Sequence, residues 1–155
     1  SRYASGQDRL LVLIDYTKPS TEKRFYILDL LQKKLLLSTY VAHGRGSGDN
    51  YAVAFSNRPG SYQSSLGFFR TGDTYMGKNG YSLFLDGLEK GINDKARERA
   101  IVVHGANYAD PAVLKGQQRL GRSLGCPALP PDISKQVIDT IKGGVLLYIY
   151  GLNKA

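Results

Sequence analysis

One thiol and two imidazoles carry most of the covalent chemistry available to this chain: Cys126, His43 and His104. Cys126 sits in GRSLGCPALP, residues 121–130, with Gly121, Ser123 and Gly125 before it and Pro127, Pro130 and Pro131 after it. A cysteine kept for packing more often lies inside an apolar run, where it behaves as a small hydrophobe. A nucleophilic cysteine must become a thiolate, and a free thiol titrates near ~8.5, so it needs a base or a positive field beside it. A histidine supplies both, taking the proton and then, as imidazolium, stabilising the thiolate.

His104 is placed to do so. It closes the apolar run AIVVHG (Ala100–Gly105), so its ring projects at a strand edge, and the 21 residues before Cys126 can form a loop that returns the sulfur to it. Gly125 leaves the approach to the sulfur open. The successive amides of Leu124, Gly125 and Cys126 can point at a developing oxyanion. Ser123 can bond the loop or a substrate carboxylate, and Arg119 and Arg122 add a positive potential that favours a thiolate and an acidic substrate. On these residues alone two readings stand: an acyl-transfer pair, or an inert buried thiol with a satisfied core histidine.

His43 precedes a second glycine-rich stretch, Gly44-Arg-Gly-Ser-Gly48, and is a candidate for the wall of a substrate groove. Metal binding is not expected, because one cysteine and two histidines make no plausible zinc set. Nor is the glycine run a phosphate-binding loop, since it lacks the Gly-Lys-Ser/Thr ending and leads into no helix. Tyr62, Ser64, Ser65, Tyr75 and Lys78 are further wall candidates. No cofactor is implied.

The elements that must hold these groups read as mostly β. Leu10–Ile14 is a short apolar run fit for a buried strand, and Arg24–Leu30 and Lys34–Gly44 flank a polar turn as a hairpin would. From Gly44 to Gly80 the periodicity breaks up among Gly, Ser, Asn and aromatic residues, which predicts a loop-rich wall. Tyr81–Leu88 alternates as a strand, Asn93 or Asp94 can cap a short turn through KARER, and Ala100–Gly105 is a buried strand. Pro131-Asp132 opens a helix to about Lys142 with Ile133, Val137, Ile138 and Ile141 on its apolar face, Gly143-Gly144 end it, and Val145–Tyr150 is a final strand. The expected fold is mainly β, a mixed sheet or sandwich with one or two helices, one of them near the C-terminus. With 155 residues the chain fits one domain, residues 1–155, with a polar lead-in over 1–9.

The net charge of +8 favours an anionic partner: nucleic acid, acidic lipid or an acidic wall polymer. The basic residues are scattered and accompany no zinc-finger, bZIP or RNP1-like pattern, so nucleic acid is not the expected partner. No apolar run reaches the 18 or more residues of a transmembrane helix. The first residue is Ser1 in a polar segment with no signal-peptide core, as expected of a processed or trimmed domain, which permits secretion without showing it.

IVVHGANY followed by GRSLGCPALP resembles the signature of the L,D-transpeptidases, the YkuD-like family, in which a His-Gly pair precedes a Ser/Thr-x-Gly-Cys motif. VAHGRGSG, AVAFSNRPGSYQSSLGFF, TYMGKNGYSLFLDGLE and NDKARERAIVVHG are similar to the murein L,D-transpeptidase catalytic domain branch, so the likeness covers roughly residues 24–150. The resemblance implies that Cys126 attacks the carbonyl between the diamino acid and the terminal D-alanine of a peptidoglycan stem tetrapeptide, with His104 as base and then acid. It implies that the Gly105 carbonyl orients the imidazole, that the amides of Gly125 and Cys126 form the oxyanion hole, and that Ser123 is the motif hydroxyl. His43, Arg122, Ser64, Ser65 and Tyr75 fall to the substrate wall. The acyl group then passes to an amine, giving a cross-link, or to water, as in an L,D-carboxypeptidase or endopeptidase. A non-catalytic wall-binding module is the alternative from another class. Periplasm or cell wall as the compartment, a monomer, and acylation by carbapenems go with the resemblance. Two positions depart from the family pattern: Leu124 stands where many members have His, and Ala128 where many have Asn or Arg.

Overall fold

A computed structural model describes residues 6–154. The polar lead-in therefore lies partly outside the described residues, and its described part, Gly6–Arg9, is one 3-10 turn. Eight strands follow in chain order: β1 (Leu10–Asp15), β2 (Phe25–Asp29), β3 (Lys34–Thr39), β4 (Gly67–Gly77), β5 (Gly80–Gly87), β6 (Val102–Gly105), β7 (Ala128–Leu129) and β8 (Leu146–Tyr150). One α-helix, α1 (Pro131–Ile141), lies between β7 and β8.

The strands make one mixed sheet in the order β3-β2-β1-β8-β4-β5-β6-β7. β1 pairs parallel with β8 and β6 parallel with β7, while the other neighbours are antiparallel. Past β3 the chain curls over to the opposite edge. There Ala42 bridges Ala128 and Gly44 bridges Ser123, so the sheet is nearly closed. Alternation explains which side faces in: Val12 and Ile14, Phe25 and Ile27, Leu83 and Leu85, and Leu147 and Ile149 are buried on a shared face. Each such aliphatic side chain contributes roughly 1.5–3 kcal/mol by leaving water.

Helix α1 follows its sequence signals. Pro131 occupies the first turn, Asp132 favours the positive end of the helix, and Val137, Ile138 and Ile141 are fully buried where α1 packs on β6 and β5. Gly143 and Gly144 stop it at φ 80° and 108°. None of the helices among the described residues is long and apolar enough to cross a membrane.

Two expectations need correction. The stretch Gly44–Gly80 is not loop throughout, because β4 runs for 11 residues within it. Its inward set, Gly67, Phe69 and Thr71, contains one strongly apolar residue, and an irregularity in its pairing with β5 between Thr71 and Thr74 breaks the period. The KARER segment is a succession of turns without an Asn93 or Asp94 helix cap. The Asn93 side chain instead donates to the carbonyls of Leu66 and Phe68 and accepts from the Glu89 amide, joining that segment to the start of β4.

Candidate active site

The end of β6 and the loop before β7 converge on a cavity of about 380 Å³ whose walls include Tyr75, Lys78, Arg99, His104, Arg122 and Cys126. A larger one, about 560 Å³, is lined by Leu10, Leu30, Phe68 and Leu146 among others and holds no thiol or imidazole. The smaller cavity is where the chemistry can occur.

Cys126 is 8% exposed. Its sulfur is held by the chain segment leading into β6: the thiol donates to the Ala100 carbonyl at 3.4 Å and accepts from the Val102 amide at 3.4 Å. Ala100 has φ 56°, a left-handed conformation that costs an alanine roughly 1–2 kcal/mol and that turns the chain just before β6. Burial raises the thiol above its ordinary value, while the Val102 amide and then the charges of Arg99 and Lys78 pull it back. The resting sulfur is a protonated thiol.

His104 is 3% exposed and burial holds it below the ordinary histidine value, so the ring is neutral at neutral pH. Nδ1 lies 2.9 Å from the Gly105 carbonyl, which can only accept, so Nδ1 carries the proton. Nε2 then has a free lone pair and no partner among the described residues. Backbone pairing fixes the strand: His104 stands opposite Ser82 of β5 and Ala128 of β7. A neutral thiol and a neutral imidazole with an open Nε2 thus share one cavity.

The loop around the sulfur is stiffened from inside. Ser123 Oγ donates to the Cys126 carbonyl at 2.6 Å and accepts from the Gly125 amide at 3.1 Å. The Ser123 backbone exchanges bonds with the strand-end segment at His43 and Arg45. Gly125 has φ 127°, and a Cβ there would lie 3.0 Å from the Gln63 carbonyl, so no L side chain fits without strain. With the Gly125 amide engaged by Ser123, the Cys126 amide has no acceptor among the described residues.

A family model described as L,D-transpeptidase catalytic domain matches residues 1–150. The chain belongs to the L,D-transpeptidase catalytic domain family. Among solved structures, the helical cell shape determining protein Pgp2 from Campylobacter jejuni shares the fold at TM-score 0.62 and 15% identity, over 96% of this chain and 50% of that one. An L,D-transpeptidase from Stackebrandtia nassauensis matches at TM-score 0.56 and 14% identity, over 99% and 60%. One from Mycobacterium smegmatis matches at 0.55 and 13%, over 92% and 59%. The chain spans less than two thirds of each of these structures. No curated protein matches in sequence.

Within this L,D-transpeptidase domain the residues singled out in the sequence separate into two groups. Cys126, His104, Ser123, Arg122 and Tyr75 line the cavity, and Gly125 packs directly behind it. His43, Ser64 and Ser65 do not line it. Each is about 1% exposed, and their polar atoms are spent inside the loops. Ser64 accepts from the Gly44 amide, and Ser65 donates to the Ser56 carbonyl and accepts from Arg99. His43 is wedged between Arg24 at Nδ1 (2.8 Å) and the Gly48 carbonyl at Nε2 (3.2 Å), and burial followed by the Arg24 charge lowers its pKa to about 3. Arg122 reaches Asp49 at 3.1 Å, which partly offsets its charge at the rim.

The two departures also resolve differently in this transpeptidase domain. Leu124 is 53% exposed and lines the cavity, giving its rim an apolar group beside the sulfur. Ala128 is fully buried in β7 between Ala42 and His104, so no side chain there faces substrate. Arg99 and Tyr108 are wall residues that the sequence did not mark. Arg99 lies five residues before His104 in a charged run that reads as a solvated face, and only the left-handed turn at Ala100 brings it inward. Tyr108 is on the short 3-10 turn after β6, and burial pushes its phenol up to about 12.

Proposed function

We propose that the chain is a cysteine L,D-transpeptidase acting on peptidoglycan stem tetrapeptides in the periplasm or cell wall. The observation that carries this reading is the neutral His104, with Nδ1–H committed to Gly105 and Nε2 free, lining the same cavity as the only thiol. Cys126 Sγ adds to the carbonyl carbon between the diamino acid and the terminal D-alanine as its proton passes to His104 Nε2. The unengaged Cys126 amide is the first donor to the oxyanion. The C–N bond then breaks, the departing D-alanine amine takes the proton from Nε2, and a thioester remains on Cys126. An amine of a second stem attacks the thioester, His104 receives its proton, and the thiol is regenerated with a new amide bond formed.

The charge of the site suits such a donor. Lys78, Arg99 and Arg122 line the cavity and, among the described residues, no carboxylate does, so an acyl donor carrying free carboxylates enters a positive field. The Lys78 ammonium has no partner among the described residues and is available to the substrate. Incubation with tetrapeptide-containing muropeptides tests the reading by its products. Cross-linked dimers with release of D-alanine are expected. Tripeptide without dimers would replace it with an L,D-carboxypeptidase, and a Cys126 inert to muropeptides and carbapenems would leave a wall-binding module.

A further inference from the structure

Arg99 is a cation with no counterion among the described residues. Nη1 donates to the Ser56 carbonyl (2.8 Å) and Ser65 Oγ (2.7 Å), and Nη2 to the Gln63 carbonyl (2.7 Å) and Ser61 Oγ (3.2 Å). All four acceptors are uncharged, so the guanidinium is held in place without being neutralised. It is half-buried, and burial lowers its pKa while Cys126 raises it.

The fork also sits against the nucleophile loop: a Cβ on Gly125 would be 3.4 Å from Nη2. Arg99 is followed by Ala100, whose carbonyl accepts from the sulfur, and shortly by Val102, whose amide donates to it. One short segment therefore supplies the sulfur with an acceptor for its proton, a donor for its lone pair, and a fixed positive charge. The position two residues after the cysteine supplies none, because Ala128 is buried in β7. Among the described residues, the titratable and charged groups that share the cavity with the sulfur from other elements are Lys78 on the β4–β5 turn, His104 on β6, Tyr108 after β6 and Arg122 on the cysteine loop, with Tyr16 buried beyond β1; none is a carboxylate.

We propose that Arg99 is the positioning residue that stabilises the Cys126 thiolate as it forms, by a charge fixed from the segment before β6. The four neutral acceptors occupy both terminal nitrogens, so the group acts through its field on the sulfur and not by seizing the substrate. Free Lys78 is the opposite case. The inference rests on the acyl-transfer reading above, and the experiment below separates the two.

The test is the rate of Cys126 alkylation by iodoacetamide in the folded protein from pH 6 to 10, which needs no substrate. Arg99→Met is expected to move the midpoint up by about one pH unit and slow the reaction at pH 8 about tenfold, the usual scale for losing a nearby opposite charge. Arg99→Lys, which keeps the charge with fewer donors, is expected to retain most of the midpoint while losing thermal stability. Ser61→Asp leaves Arg99 in place but sets a carboxylate against Nη2, so it raises the midpoint without unfolding the chain. A purely structural Arg99 would lower the melting temperature in the first two variants and leave the midpoint unmoved in all three. An unmoved midpoint in Ser61→Asp and in Arg99→Met, where the latter folds, overturns this inference alone. A wild-type thiol that resists alkylation throughout overturns the acyl-transfer reading with it.

Discussion

Two His-Gly pairs end extended segments in this molecule, and only one of them is a candidate base. His43 and His104 are both almost fully buried, and both rings are neutral because burial opposes the imidazolium. They differ in what their nitrogens do. His43 spends both, accepting from Arg24 at Nδ1 and donating to Gly48 at Nε2. His104 lines the cavity, spends Nδ1 on Gly105 and leaves Nε2 without a partner among the described residues. A buried histidine with both nitrogens satisfied is a structural strut, whereas one with a single unspent nitrogen in the cavity that holds the thiol is a candidate base.

The comparison is most severely tested by removing each ring. His104→Ala is expected to lower kcat/KM by about 10²–10⁴, the usual worth of a general base, with little loss of melting temperature. His43→Ala should do the reverse. It leaves an Arg24 donor without its acceptor in the core and costs about 1–3 kcal/mol in urea unfolding, while kcat/KM of the folded fraction falls less than tenfold. Equal losses of activity in the two variants would erase the distinction.

Gly125→Ala comes next. At φ 127° with the Gln63 carbonyl 3.0 Å from its Cβ, alanine is expected to cost about 1–3 kcal/mol of stability and to slow acylation by displacing the neighbouring amide. A stable, fully active alanine variant would mean that the loop is not held as described.

The third test uses protons. His43 has a folded pKa of about 3, below that of the unfolded chain, so the unfolded state binds the extra proton as pH falls. The stability of the neutral ring is complete above the unfolded value near ~6.5 and is lost below it, at up to about 1.4 kcal/mol per pH unit. His104, also depressed, acts in the same direction. Urea midpoints should therefore fall between pH 6.5 and 4.5, and the slope should flatten in His43→Gln. The smallest effect is expected at Leu124, where Leu124→His alters an exposed rim residue, changes stability by less than about 0.5 kcal/mol, and shifts the ratio of dimer to hydrolysis product.

Much of this is legible in the amino-acid sequence. The apolar runs at Leu10–Ile14 and Val145–Tyr150, the hairpin and the helix opened by Pro131 all announce themselves by period and punctuation; the runs and the helix appear within a residue or two, while the second hairpin strand, expected over Lys34–Gly44, stops at Thr39. β4 did not, because glycine and threonine take two of its three inward places and give no apolar alternation. The pairing of one thiol with a His-Gly strand end was visible as a type and an order. What separates His43 from His104 was not, since both read as His-Gly, and the difference lies in Arg24 reaching across from the segment just before β2. Ser64 and Ser65 looked like groove hydroxyls for the same reason: sequence shows donors and acceptors but not who has already claimed them. Arg99 was hidden in a charged run until the turn at Ala100 directed it inward.

In the proposed reaction Cys126, served by the unspent nitrogen of His104, takes the acyl group of a stem peptide. Intact-protein mass spectrometry during incubation with tetrapeptide muropeptide tests it most directly. An adduct of the donor less D-alanine is expected on Cys126, absent in Cys126→Ala and formed far more slowly in His104→Ala. An unmodified Cys126 in a protein that nonetheless consumes the muropeptide would contradict it.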